Sequence, residues 1–287
     1  MSRRLPKNPH LKSLETALAE HFGWQPGGPI RDALLAAVTR KADRIGVDEV
    51  SYCRMASASP GELNALAEEV APGDTSFFRD AEQTEALAER VLPTLVAARG
   101  ATHRLRLWSA AASTGEEAYS LAILAREALP PDPDWRIEIL ATDLQGHAVV
   151  AASQGRYSAS QIRGIDPTLR NRYFIGVNEP GPDRTFDVLP LVRRIVLFRR
   201  VNLCDESAWR LVIGSFDVIS CQNVLLYFHA RAARELLGRL ESALAPGGYL
   251  VVAAAEAPLV MNQALVSDPT LPVGFFAKAG TVVENSK

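Results

Sequence analysis

Chemistry in this 287-residue chain concentrates at Trp108–Ile123, WSAAASTGEEAYSLAI. A run of small residues reaches Gly115, two adjacent carboxylates follow at Glu116 and Glu117, and a helical pattern continues behind them. The turn from a strand into a helix normally suits phosphate, because free N–H groups and the helix dipole attract anions. Two acidic side chains there disfavour it: one like-charge pair at about 4 Å costs about 4 kcal/mol at an effective dielectric of about 20. A ligand that carries cationic groups and no phosphate suits the turn better. Taken alone, the pair also reads as ordinary complementation of a helix dipole.

Two further segments point the same way. Asp143 lies in ATDL (141–144) at the end of an apolar run. An acid at a strand end can accept hydrogen bonds from both hydroxyls of a ribose, and its competing role is a helix N-cap. In CQNVLLYF (221–228), Asn223 offers a donor and an acceptor, and Tyr227 offers a hydroxyl on an apolar step, unless Tyr227 and Phe228 are simply core aromatics. Together these suit a cationic nucleoside. S-adenosylmethionine, with its sulfonium, α-ammonium and ribose diol, is such a ligand.

Other chemistries lack their residues. The five histidines are scattered, with no Ser/His/Asp or Cys/His set to suggest nucleophilic catalysis. Cys53, Cys204 and Cys221 form no CxxC pair and no metal spacing, so they read as reduced thiols of a cytoplasmic protein without a metal site. The formal net charge of −2 argues against a nucleic-acid partner. No apolar run approaches the roughly 18 residues of a membrane span, and MSRRLPKNPH lacks the apolar core of a signal peptide. STGEE also lacks the GxGxxG spacing of a dinucleotide site.

The elements that must position these residues follow from periodicity. From Leu11 to about Val70 the pattern is helical, with Ser59-Pro60 reading as an N-cap and first-turn proline. Arg31, Arg40, Lys41 and Arg44 give one helix basic positions. Thereafter helices and strands alternate: a helix over 82–98, strand 104–108, a helix from 115, strand 137–141, a helix near 145, strand 216–220 and a helix over 230–244. Pro246-Gly247-Gly248 reads as a turn into a last strand at 249–253. This alternation predicts a parallel sheet covered on both faces. Between 173 and 203, YFIGV, RTFDVL and RRIVLFRRV, with the turn signal NEPGPD, predict an inserted antiparallel excursion. Phe77 and Phe78 read as packing residues, and Thr75 as either a ligand or a cap.

With those residues in view the chain resembles the CheR-type methyltransferases, which methylate chemoreceptor glutamates. The resemblance runs from about 12 to 280 and rests on DTSFFRD (74–80), SAAASTGEEAYSLAI (109–123), ATDL (141–144), VNL (201–203), FDVISCQNVLLYF (216–228) and LAPGGYL (244–250). It implies an α/β fold: a Rossmann-like methyltransferase domain over 85–287 with an antiparallel β-subdomain inserted at about 172–200, an all-helical N-terminal domain over 1–72, and a linker at 73–84. It implies S-adenosylmethionine contacts at Gly73, Thr75, Arg79, Glu117, Asp143, Asn202, Leu203, Gln222 and Asn223. Arg79 and Tyr227 correspond to residues at the reacting centre. Arg31, Arg40, Lys41 and Arg44 correspond to the face that meets the acidic cytoplasmic region of a chemoreceptor. The expected protein is a cytoplasmic monomeric protein-glutamate O-methyltransferase. Its alternative is a CheR-like module that binds the cofactor or its product and serves as a sensor or scaffold. The chain departs from the family pattern at Gly73, where asparagine is common, at Gln222, where arginine is frequent, and at AAAE (253–256), where His-Ser-Glu is usual.

Overall fold

A computed structural model describes residues 9–278, apart from 26, 178–180, 182–183, 212–214 and 261–263. Most of the NEPGPD turn lies outside the described residues. Four helices come first: α1 (Pro9–Phe22), α2 (Gly28–Ile45), α3 (Glu49–Ser57) and α4 (Pro60–Val70). Leu11, Leu14, Leu18 and Phe22 recur at helical spacing on α1 and bury against Leu34, Val38, Leu63 and Leu66 in a separate core. Ser59 caps α4 by accepting from the Glu62 N–H, with Pro60 in the first turn as expected.

After a non-helical stretch, α5 (Ala81–Ala86), a π turn (Leu87–Val91) and α6 (Leu92–Ala98) form one continuous run. The π turn falls just before Pro93, which has no N–H for the carbonyl four residues back. Asp80 caps the run through the Gln83 N–H at 3.0 Å, so Thr75 is not its N-cap.

The catalytic-type layer follows: β1 (Arg104–Ala110), α7 (Glu116–Ala128), β2 (Arg136–Asp143), α8 (Gly146–Gln154), β3 (Arg156–Ser158), α9 (Pro167–Tyr173), β4 (Phe174–Gly176), β5 (Thr185–Val188), α10 (Pro190–Arg193), β6 (Val196–Arg200), β7 (Phe216–Ser220), α11 (Ala230–Ala243), β8 (Leu244–Val251), β9 (Leu265–Ser267) and β10 (Phe275–Lys278). The main sheet runs β6-β2-β1-β7-β8-β10-β9, parallel from β6 to β8, with β10 and β9 antiparallel. From β1 the chain steps outward to β2 and β6, then returns to the other side of β1 for β7. The strand order therefore reverses between β1 and β7, the place where open α/β sheets leave a crevice at the carboxyl ends.

Two expectations change. RRIVLFRRV does not belong to the antiparallel excursion: β6 pairs in parallel with β2, Ile139 opposite Val196 through Asp143 opposite Arg200. The small antiparallel sheet is β3-β5-β4 and begins earlier, at Arg156. Pro246-Gly247-Gly248 is not a turn before the last parallel strand. It is an irregularity inside β8, where pairing with β7 jumps from Phe216–Leu244 to Val218–Tyr249. Gly248 is tight there, since a Cβ would come within 2.8 Å of the Phe216 carbonyl.

Candidate active site

Two hollows open beyond the β1/β7 reversal, and they share Ala111 and Asn223 as walls. Both are shallow and open to solvent. The first is bounded by Thr75, Phe78, Arg79, Gln83, Glu117, Ser220 and Gln222. The second is bounded by Phe22, Trp24, Asp143, Asn202, Leu203 and Tyr227.

Strained backbone marks the boundary between them. Five described non-glycine residues have positive φ, and Ala111 (77°), Asn223 (58°), Phe78 (49°) and Ser113 (48°) line or adjoin the hollows. Such conformations cost about 1–3 kcal/mol each and persist only where surroundings over-determine them. The surroundings do so here. The Ala111 and Ala112 N–H groups both donate to the Thr142 carbonyl, and the Ser113 N–H donates to Asp143 Oδ2 at 2.7 Å.

The two acids that open α7 part company. Glu116 is buried and turned from the hollows, accepting from Thr114 Oγ1 (2.7 Å) and from Gln161 Nε2 (2.9 Å) beside the small sheet. Glu117 lines the first hollow and accepts from Ser109 Oγ at 2.6 Å. Burial pushes its carboxyl up to about 7; the Ser109 and Ser220 hydroxyls oppose the rise, Glu256 adds to it, and Arg79 opposes it. Glu117 therefore faces a hollow, while Glu116 is bound into the fold.

Asp143 is 8% exposed at the end of β2. Its Oδ1 accepts from the Gln145 N–H at 2.8 Å, and its Oδ2 from Ser113. Those bonds fix the carboxylate in the wall of the second hollow, and each oxygen can accept a further hydrogen bond. Burial raises its pKa, and the backbone donors oppose the rise. Asp143 does not cap α8, whose first non-helical residue is Gln145.

Arg79 is 42% exposed and is stapled to Asp74, with Nη1 donating to its carbonyl (2.9 Å) and Nη2 to its carboxylate (3.2 Å). Phe77 is buried edge-on against Tyr157 and Phe174, which anchors the 74–79 segment to the core. Phe78 instead borders the first hollow.

Of the residues expected at a cofactor site, Thr75, Arg79, Glu117, Gln222 and Asn223 meet in the first hollow, and Asp143, Asn202, Leu203 and Asn223 meet in the second. Gly73 borders neither; its carbonyl accepts from Ser113 Oγ at 2.8 Å, and a Cβ there would come within 3.1 Å of Gln145 Oε1. The Asn202 side chain is spent on the fold, donating to the His21 carbonyl and accepting from the Cys204 N–H. Arg79 and Tyr227 lie in adjoining hollows rather than in one. The basic residues of α2 lie elsewhere, and three are engaged inside the helical domain: Arg31 with Glu15, Arg40 with Glu69, and Lys41 with Glu62. Arg44 is exposed.

Three features escaped sequence reading. Phe22 and Trp24, from the helical domain, wall the second hollow, and their segment is stitched to it: Gln25 N–H to the Tyr227 carbonyl and His229 N–H to the Gly23 carbonyl, both 2.8 Å. Glu256 is fully buried and accepts four backbone N–H groups, from Asn223 and Val224 at 2.7 Å, Ala253 at 3.2 Å and Leu226 at 3.3 Å. It therefore holds the loop that carries Asn223. Gln83 is buried in the wall of the first hollow. Among the described residues no group of three metal-ligating side chains gathers, and no helix is long and apolar enough to cross a membrane.

Known proteins resemble this chain in sequence. Residues 73–267 match the family model described as CheR methyltransferase, SAM binding domain. Chemotaxis protein methyltransferase 1 of Pseudomonas aeruginosa is 38% identical over 71% of this chain and 73% of its own length. Chemotaxis protein methyltransferase Cher2 of Pseudomonas putida is 36% identical over 69% and 70%. A probable chemotaxis protein methyltransferase of Rhizobium etli is 31% identical over 71% and 76%. Among solved structures, a TehB-like SAM-dependent methyltransferase from Corynebacterium glutamicum is 13% identical over 66% of this chain and 89% of that one, with a TM-score of 0.36. The family model spans more than half of the chain, and this protein belongs to the CheR methyltransferases, enzymes that use S-adenosylmethionine.

Proposed function

We propose that this protein transfers a methyl group from S-adenosylmethionine to glutamate side chains on the acidic cytoplasmic region of a chemoreceptor or a related signalling protein. The observation that carries the reading is the lining of the first hollow. Arg79 is its single cationic side chain among the described residues, and no histidine, lysine or cysteine lines it. Its three acids are engaged, Asp74 by Arg79, Asp80 by the Gln83 N–H and Glu117 by Ser109, so Arg79 is the group left to meet an anionic nucleophile, and the hollow supplies no imidazole or amine base. A glutamate needs none, because its reference pKa of about 4.3 leaves it ionised at neutral pH. The names of the relatives above supply the chemotaxis setting.

The residues fit the cofactor. The aromatic second hollow, with Asp143 in its wall, takes the nucleoside, and Asp143 accepts from the ribose hydroxyls. Glu117 in the first hollow balances the α-ammonium. Thr75, Leu203, Gln222 and Asn223 complete the walls, Asn202 contributes through its backbone, and Gly73 acts by holding Ser113 in place. When bound, S-adenosylmethionine supplies an electrophilic methyl group on its sulfonium.

The chain's own work is positioning and desolvation. Arg79 exchanges its Asp74 contacts for the substrate carboxylate and aims it by charge-assisted hydrogen bonds. The Tyr227 hydroxyl, which has no hydrogen-bond partner among the described residues, donates to the substrate carboxylate from the adjoining hollow. Phe78, Leu87, Leu121 and Leu124 exclude water from the approach path. Orientation of this kind is worth roughly 7–11 kcal/mol in well-aligned systems. Arg44, with the ion-paired Arg31, Arg40 and Lys41 on the same helix, presents positive charge to the acidic receptor. The test incubates the protein with methyl-labelled cofactor and membranes of its own host. Label released as methanol by mild alkali from a receptor-sized band supports a glutamyl ester. Alkali-stable label, or none, refutes it.

A further inference from the structure

Gln83 sits on the first turn of α5, 2% exposed, in the wall of the reaction hollow. Its amide nitrogen donates to the Val252 carbonyl at 3.0 Å and to the Val273 carbonyl at 2.8 Å. Both partners are acceptors only, so the orientation of the amide is settled: turning it over would set oxygen against two carbonyl oxygens. The position is built around this side chain. Gly274 has φ of 109°, and a Cβ on it would come within 2.5 Å of the Gln83 amide nitrogen.

The other arm of the amide is left over. Gln83 Oε1 is the one buried side-chain oxygen among the described residues with no hydrogen-bond partner. Buried carbonyl oxygens are rarely abandoned; Oε1 has almost no accessible surface, so its donor must be a trapped water or a ligand group that packs tightly against the Gln83 end of the hollow. The chain's own nearby donors are used elsewhere or do not reach it: Arg79 is held by Asp74, and neither Thr75 nor Thr84 is bonded to it.

Given the cofactor orientation proposed above, on which this step rests, the groups of substrate and cofactor can be compared as the donor, with a trapped water as the competitor that the ligand comparison below separates. A substrate carboxylate is acceptor-only and would be repelled by Oε1. The sulfonium has no N–H or O–H. The cofactor carboxylate is again an acceptor. The ribose hydroxyls belong to the second hollow, beside Asp143. The α-ammonium alone brings spare N–H donors to the first hollow, where Glu117 provides its counter-charge.

We infer that Gln83 is a cofactor-recognition residue: its Oε1 accepts an N–H from the α-ammonium of S-adenosylmethionine, so that the amino group is read by one charged and one neutral oxygen. The neutral acceptor reads a donor without adding a second negative charge beside the path of an anionic nucleophile. Its position also ties recognition of the amino group to the end of β8 through the Val252 carbonyl.

The test uses the full chain and calorimetric titration with three ligands: S-adenosylhomocysteine, its homologue in which hydrogen replaces the α-amino group, and methylthioadenosine, which lacks the amino-acid end altogether. Wild type should prefer the amine over the des-amino homologue. In Gln83→Met that preference should shrink by roughly tenfold or more, the worth of one hydrogen bond to a charged group. Methylthioadenosine should bind both proteins alike, which also verifies that the variant is folded. A preference unchanged in the variant overturns the inference. A measurement without substitution stands beside it: the side-chain carbonyl carbon resonance of Gln83 should move on addition of S-adenosylhomocysteine and stay in place with the des-amino homologue. Equal movement with both ligands also overturns the inference. Binding of none of the three ligands to wild type would refute the cofactor orientation itself.

Discussion

Cofactor affinity should depend on pH through Glu117, in a way that separates its charge from its shape. Burial holds this carboxyl at about 7 in the cofactor-free protein, and an ammonium beside it favours the ionised form. Ionisation therefore accompanies binding. At pH 6 about one Glu117 in eleven is ionised, and at pH 7.5 about three in four, so affinity should climb about eightfold, or about 1.2 kcal/mol, over that interval. The window stops at 7.5 because a free α-amino group loses its proton near about 7.7–8.0. Titration calorimetry with S-adenosylhomocysteine at pH 6.5, in two buffers of different ionisation enthalpy, should count about 0.75 proton released per binding event. Glu117→Gln keeps an acceptor for Ser109 but cannot ionise. Its affinity should be flat over the window and its proton release near zero. The folding sign runs the other way. A folded pKa above the usual carboxylate value means that the cofactor-free protein binds extra proton between about 4.5 and 7, and this contribution to stability is lost as pH rises through that range. Equal pH slopes in wild type and Glu117→Gln would refute the reasoning.

Asp143→Ala should weaken S-adenosylhomocysteine by about ten- to hundredfold, or roughly 1.5–3 kcal/mol, by calorimetry; unchanged affinity would exclude the ribose contact. Arg79→Ala should cut methyl incorporation by at least about tenfold, and Tyr227→Phe should cut it less, since a neutral hydroxyl contributes a weaker hydrogen bond than a guanidinium. Wild-type rates in both would remove the two from the reacting centre. Glu256→Gln places an NH₂ group among four backbone donors and should cost about 2–4 kcal/mol in urea unfolding. A stability equal to wild type would show that the 223–226 loop holds itself.

The parts of the site that were legible in the sequence are those a strand end and its following turn bring together within a few residues. Glu117 and Asp143 belong to that class, and the fold supplies only the crevice between them. The division of labour between Glu116 and Glu117 was not legible. Successive helical residues differ by about 100° around the axis, and only tertiary contacts say which one faces the cleft. Gln83 and Glu256 were hidden for another reason. Their partners, Val252 and Val273 for one and Asn223 to Leu226 for the other, lie about 30 to 190 residues away, beyond any local pattern. RRIVLFRRV misled because β6 is an edge strand, paired on one side alone. Its half-exposed pattern imitates an antiparallel ribbon, whereas buried parallel strands such as β7 read as continuous apolar runs. Pro246-Gly247-Gly248 misled because the same residues that make turns also make bulges.

The stitched segment from His21 to Gln25 makes the helical module part of the candidate site. The family match begins at residue 73, yet Phe22 and Trp24 complete one wall of the second hollow. A fragment cut at that boundary would keep every matched motif and still present a chamber open on one side. If a receptor docks on α2 and the nucleoside fills the second hollow, both as proposed above, the receptor presses on the same body that supplies Phe22 and Trp24 to the hollow. On that proposal a chimera that exchanges only the helical module should inherit the affinity of its donor for the nucleoside along with its taste in receptors.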